Sequence, residues 1–211
     1  MKVAIIGLGN IGKALATDLV KGKRSIIVAS RDITDATNFS TGLEDLVQAK
    51  EIEDAVREAD IIIPTIWFDA EKEFVQKYAN ELKGKIIIDV SNPIAPDENG
   101  GFKKIIDSNL SSGGIMSSLI GNNAKLVKTF GTLGASSLES EAHKTPKAVI
   151  FYATDHKEFK LVIEELINDS GFDALSVGGI NQSIRIEVFG DLHEFGALGK
   201  PVTLEEAKEK I

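Results

Sequence analysis

The sequence predicts a doubly wound α/β fold with a mainly parallel sheet that is extended by C-terminal strands. Three observations carry this expectation. Short β-rich runs recur at 3–6, 25–29, 61–65 and 86–88, apolar enough to be covered on both faces. Helical patterns separate them, and right-handed crossovers turn that alternation into a parallel sheet. A glycine-rich turn stands between the first strand and the first helix.

The elements follow in order. The strand at 3–6 leads through the glycines into an amphipathic helix running to about Val20 and ended by Lys21-Gly22-Lys23. After the strand at 25–29, a short third strand is expected at 47–49, then a helix at 52–58 whose Glu53 and Arg57 stand at i, i+4. Asp60 opens the strand at 61–65. A helix at 69–82 is closed by Gly84 ahead of the strand at 86–88. From Asn92-Pro93 to Gly113-Gly114 the backbone punctuators read as a long, mobile loop over a site, followed by a short helix at 115–120. Further strands are expected at 125–130, 148–153 and 172–177. Asp155 and Glu158 have capping-box spacing for a helix ending at Ser170-Gly171, and Thr203 and Glu206 repeat it for a terminal helix. Ile180, Ile184, Val188, Leu192 and Phe195 place an apolar stripe on a last long helix, which either buries in the chain's own core or pairs with a second copy as a homodimer.

Composition narrows the function classes. The 211 residues hold 24 Lys and Arg against 32 Asp and Glu, a net charge of −8, which disfavours nucleic acid and anionic membrane surfaces as partners. There is no cysteine, and the three histidines, His143, His156 and His193, are far apart, so no metal site is expected. No apolar run approaches the ~18 residues of a membrane span. Lys13 and the glycines break up an N-terminal stretch that otherwise resembles a signal peptide, so the chain is expected in the cytoplasm. Its chemistry should come from a bound cofactor.

Gly7-Leu8-Gly9-Asn10-Ile11-Gly12 is G-x-G-x-x-G, and its place between a buried strand and a helix gives the pattern its weight. Gly7 would make the tight turn, Gly9 would let a diphosphate approach the backbone, and Gly12 would let the helix pack on the strand. Residues 1–211 are therefore expected to form a single NAD(P)-binding, Rossmann-like domain with a C-terminal helical extension. The second strand ends Ala29-Ser30-Arg31. A hydroxyl and a guanidinium there suit a ribose 2′-phosphate and favour NADP(H), whereas Asp32 in the ribose position would favour NAD.

Other strand ends supply the remaining candidates. Thr65, Ile66 and Trp67 leave the fourth strand where ligands bind in such sheets, although Trp67 and Phe68 also suit the core. Asn92 and Pro93 leave the next strand, with the Asn92 amide suited either to a nicotinamide or to a local turn. The run from Thr132 to Ala135 completes the rim. No histidine falls in an acid/base pattern, so no catalytic side chain is expected; hydride passing to a planar ring needs alignment rather than a proton donor.

The segments 3–12, Ala29-Ser30-Arg31, 86–93 (IIIDVSNP), 125–133 (KLVKTFGTL) and 171–187 (GFDALSVGGINQSIRIE) together resemble the NADP oxidoreductase family typified by deazaflavin-coenzyme-dependent NADP reductases. The resemblance implies hydride transfer between NADP(H) and a planar small-molecule acceptor, a deazaflavin or flavin. Two features depart from the family pattern: the basic residue common a few positions after the Ser-Arg pair is absent, with Asp35 nearby instead, and Gly131 replaces an asparagine. A non-catalytic NADP(H) sensor and a reductase of small carbonyls or imines are the alternatives.

Overall fold

The computed structural model describes residues 1–211, the side chain of Glu44 excepted. Its main sheet has eight strands: β1 (Val3–Ile6), β2 (Ile26–Ala29), β3 (Val47–Ala49), β4 (Ile61–Pro64), β5 (Ile86–Asp89), β8 (Lys125–Thr129), β9 (Val149–Ala153) and β10 (Asp173–Gly178). They lie in the order β10-β9-β8-β5-β4-β1-β2-β3. The six strands from β3 to β8 are parallel, and β9 turns back antiparallel to β8, with Lys128 opposite Ala153. β10 pairs parallel with β9 and so also runs against the first six.

Alternation of side chains across the pleat explains why these runs are apolar throughout. Val3 and Ile5 enter one core layer and Ala4 and Ile6 the other. The first layer is covered by α1 (Asn10–Lys21), α2 (Ile33–Ser40), α6 (Ala135–Glu141) and α7 (Lys160–Asp169). The second is covered by α3 (Ile52–Glu58), α4 (Phe68–Lys77) and α5 (Ser112–Ile120). A smaller core under β9 takes Ile186 of α8 (Ser183–Ile186) and Ala207 of α9 (Leu204–Lys208).

Several local expectations fail for identifiable reasons. Residues 92–111 are not a bare loop: β6 (Ile94–Pro96) and β7 (Phe102–Lys104) form an antiparallel hairpin, and Lys104 Nζ donates to Leu110 O at 2.7 Å and Ser108 O at 3.2 Å. The last long helix is absent. After α8 the chain bends at Glu187, which turns inward to bond the start of α5, and Phe189 has φ +72°. The chain then folds back, with Leu192 N donating to Arg185 O at 2.8 Å. Asp155 does not cap α7. Its carboxylate accepts from Ile180 N at 3.0 Å, and a 3-10 turn at Lys157–Phe159 leads into the helix. The terminal capping box is present, with Thr203 N donating to Glu206 Oε2 at 2.8 Å.

Candidate functional site

The strand order reverses between β1 and β4, so the crevice at their C-terminal ends is where an open sheet of this kind admits a ligand. Gly7 leaves β1 with φ +105°, a conformation that side chains rarely adopt. Its N–H donates to Ala29 O at 2.8 Å. Thr65, leaving β4, clamps the turn from the other side: its N–H donates to Ile6 O at 2.8 Å and its hydroxyl to Gly7 O at 2.6 Å. Gly12 is packed so closely that a Cβ would run into Gly7 O and come within 2.6 Å of Thr65 Oγ1. A Cβ on Gly9 would meet nothing within 4 Å. Gly9 is the N-cap of α1, whose first turn has neither a side-chain cap nor an acidic residue. Leu8 and Ile11 anchor the turn to the core, while Asn10 is exposed. Ile66 is half-buried beside Gly7.

At the end of β2, Arg31 is exposed and makes no ion pair among the described residues. Ser30 lies beneath it, its hydroxyl donating to Asp32 O. Asp32 is turned away as the N-cap of α2, accepting from Thr34 N at 2.9 Å, and that hydrogen bond holds its carboxyl below the usual carboxylate range. The strand end thus presents the Arg31 guanidinium, with the Ser30 hydroxyl donating to backbone and the Asp32 carboxylate engaged as a cap.

Beyond β5 and β8 the rim is built differently from the sequence expectation. The Asn92 side chain bonds neither its own turn nor open space: Nδ2 donates to Gly131 O at 3.0 Å and Oδ1 accepts from Val188 N at 2.7 Å. Gly131 is tight against this segment, since a Cβ there would lie 2.9 Å from Val90 O and 3.3 Å from Asn92 Nδ2. Pro93 is buried and its carbonyl accepts from Ile105 N at 2.9 Å. Thr132 is buried with Oγ1 unpartnered. Ala135 opens α6, but that N-terminus already holds the Glu194 carboxylate, which accepts from Gly134 N and from Ser137 Oγ. Trp67 and Phe68 part company: Phe68 is core at 1% exposure, while Trp67 is 58% exposed and tilted against Phe102 of the hairpin, centroids 6.4 Å apart.

Two of the three histidines bond backbone carbonyl oxygens. His193 is buried at the rim, its Nδ1 accepting from Phe195 N at 2.9 Å, so Nε2 carries the proton and donates it to Gly131 O at 2.8 Å. Burial pushes its pKa down to about 4, with the Lys128 charge acting in the same direction against the Gly131 hydrogen bond. His143 bonds Asp18 O in α1, and His156 follows β9 at the opposite edge of the sheet from the glycine turn. No group of three or more metal-ligating side chains is present among the described residues.

The sequence leaves Lys128 open between a ligand contact and a structural ion pair and names no partner for it; the structure supplies the ion pair. Lys128, in mid-strand at 1% exposure, ion-pairs with Asp89 at 2.9 Å, and Glu71 and Glu187 lie in the same buried cluster. The signal was a charge inside each of two apolar strand runs, IIIDV and KLVKT, with opposite signs in the two runs.

Residues 2–93 match the family model described as NADP oxidoreductase, coenzyme F420-dependent. The metalloreductase STEAP3 of Rattus norvegicus is 28% identical over 187 residues, 88% of this chain, which spans only 36% of that protein's length. The F420-dependent NADP reductase of Methanocaldococcus jannaschii is 24% identical over 202 residues, covering 91% of this chain and 90% of that one. Among solved structures, a hypothetical protein from Sinorhizobium meliloti superposes with a TM-score of 0.81 at 28% identity, over 96% of this chain and 95% of its own. No helix among the described residues is long and apolar enough to cross a membrane. The match over residues 2–93 takes in the glycine turn and the strands on either side of the order reversal, and over nearly its full length the chain is similar to an F420-dependent NADP reductase.

Proposed function

We propose that the protein transfers hydride between NADP(H) and a planar redox ring of the deazaflavin or flavin class, with the whole chain acting as one nucleotide-binding unit. The observation that carries this reading is the open face of Gly9 at the uncapped start of α1, one strand away from Ser30 and Arg31. A diphosphate suits that opening, because the first-turn N–H groups and the helix dipole both favour an anion there. Arg31 would hold a 2′-phosphate, with Ser30 joining it once its hydroxyl turns away from Asp32 O. Thr65 would keep the turn in shape, and the Asn92–Gly131 contact would set the floor beneath the nicotinamide end. The nicotinamide supplies the hydride chemistry when bound.

The rim also bears on the acceptor. The one N–H of His193 is committed to Gly131 and its pKa lies far below neutrality, so it cannot feed a proton to a developing alkoxide. A ring that spreads the arriving charge over its own atoms needs no such donor, which favours a deazaflavin or flavin over a simple carbonyl. Fluorescence titration with NADPH and NADH, followed by an acceptor screen with coenzyme F420, FMN and a cyclic imine, tests the reading. NADPH should bind at least about tenfold more tightly than NADH, as expected for one charge-assisted contact of about 1.5–3 kcal/mol, and Arg31→Ala should erase the difference. Equal affinities would remove the assigned role of Arg31. Turnover with the imine alone would replace the ring acceptor, and binding with no turnover would point to a sensor.

A further inference from the structure

Lys128 is nearly sealed from solvent, yet its ammonium is fully used. It donates to Asp89 Oδ1 at 2.9 Å, to Ser112 Oγ at 2.7 Å and to Ser91 O. Asp89 Oδ1 in turn accepts from the N–H and the hydroxyl of Ser91, both at 2.8 Å. On the far side Glu187 accepts from Ser112 N at 2.9 Å and Gly113 N at 3.0 Å. Glu71 of α4 faces Asp89 and Ser91 from below, and burial together with the Asp89 charge raises its pKa well above the usual range. Asp89 Oδ2 and both Glu71 carboxyl oxygens are buried with no hydrogen-bond partner among the described residues.

Ser91 and Ser112 are the two ends of the arm at 92–111, the excursion that carries the β6–β7 hairpin. One lysine therefore closes the arm at both ends, and Glu187 ties that closure to the C-terminal segment. Phe102, near the hairpin tip and 51% exposed, is set against Trp67 beside the crevice. Two exposed aromatic rings at the edge of a nucleotide crevice offer faces for a planar ligand.

We propose that Lys128, with Asp89 and Glu187, is a positioning residue for the hydride acceptor, clasping the arm so that Phe102 and Trp67 form one wall of the acceptor's seat. This rests on the reading of a planar ring acceptor given above. The clasp borders the Asn92–Gly131 floor at the nicotinamide end, but the proposed diphosphate and 2′-phosphate contacts, which carry the nucleotide's charge, lie on β1 and β2, so nucleotide affinity and acceptor binding should respond separately.

Trp67 is the sole tryptophan, so its emission reports the arm directly. Lys128→Met and Glu187→Gln are compared with the intact protein for NADPH affinity, Trp67 emission, hydrogen exchange across 92–111, and the kinetics of FMN reduction. Both variants should keep NADPH affinity within about twofold, shift Trp67 emission, and speed exchange in the hairpin at least about tenfold. KM for FMN should rise by about tenfold or more, with a smaller fall in kcat. Phe102→Ala should raise that KM while leaving exchange of residues 91–93 and 112–114 unchanged. If Lys128→Met does not fold, Glu187→Gln decides alone. Unchanged emission and exchange would overturn the clasp, and an NADPH affinity that falls in step with FMN reduction would make the cluster merely structural. If the intact protein reduces neither FMN nor coenzyme F420, the acceptor's seat falls with the functional reading, while emission and exchange still judge the clasp.

Discussion

Gly9 and Gly12 should fail in different ways when each gains a side chain. A valine at Gly9 projects into open space, so Gly9→Val should melt within a few degrees of the parent and lose nucleotide affinity by about a hundredfold or more, because the side chain fills the room a diphosphate needs. A valine at Gly12 meets Gly7 O and Thr65 Oγ1, so Gly12→Val should lower Tm as well as affinity. Thermal melts and fluorescence titration separate the two, and a Gly9→Val protein with normal affinity would leave the turn purely structural. The histidines are tested at the same scale. His143→Ala and His156→Ala should leave the single-turnover hydride-transfer rate within about threefold, whereas loss of a general acid costs about a hundredfold or more. His193→Ala removes a buried, hydrogen-bonded ring and should lower Tm, yet the rate at saturating acceptor should not reach that hundredfold loss.

Among the elements, α9 is a five-residue helix that depends on its cap. Thr203 and Glu206 satisfy each other's backbone donors, and Lys200 pairs with Glu206 at 2.9 Å. The Thr203 N–H bond is the main reason that the Glu206 pKa falls to about 2. Thr203→Ala should cost about 1 kcal/mol in urea unfolding. A folded pKa below the unfolded value means that the Glu206 contribution is complete above about pH 4.5 and fades as pH falls through about 2, so the effect of the variant should shrink in acid. The terminal cap was readable because both of its partners lie within one turn of helix. Periodicity over 180–195 misled because Glu187 and the turns around Phe189 and Gly190 answer to distant backbone, namely the α5 N-terminus and Arg185 O. Asp155 likewise had the spacing of a cap and was drawn instead to Ile180 N.

For the molecule as a whole, stability should depend on pH through carboxyls buried between layers. Asp18 of α1 is 1% exposed beside Lys21 and facing Glu139 of α6, and burial pushes its pKa up to about 7. Between about pH 4 and 7 the folded protein holds a proton that the unfolded chain has released, so stability from this group is complete below about pH 4 and is lost as pH rises through about 7. Glu71 acts with the same sign. Asp18→Asn should therefore raise Tm at pH 8 more than at pH 5, as calorimetry at the two pH values would register; an equal change at both would mean that Asp18 is ionised throughout. The parallel strands, the glycine turn and the Ser30–Arg31 strand end were legible in the chain alone, since apolar runs, helical periods and a glycine triplet are local patterns with a spacing of a few residues. The antiparallel return of β9, the hairpin in the arm, the engagement of Asn92 and Glu194, and the Lys128 cluster emerge with the folded layers. Apart from the hairpin, whose strands pair locally, each of these joins residues tens of positions apart, such as Asp89 with Lys128 or Asn92 with Val188. A buried polar group takes whichever partner the packed layers bring within reach, and that choice exists only once the layers have closed.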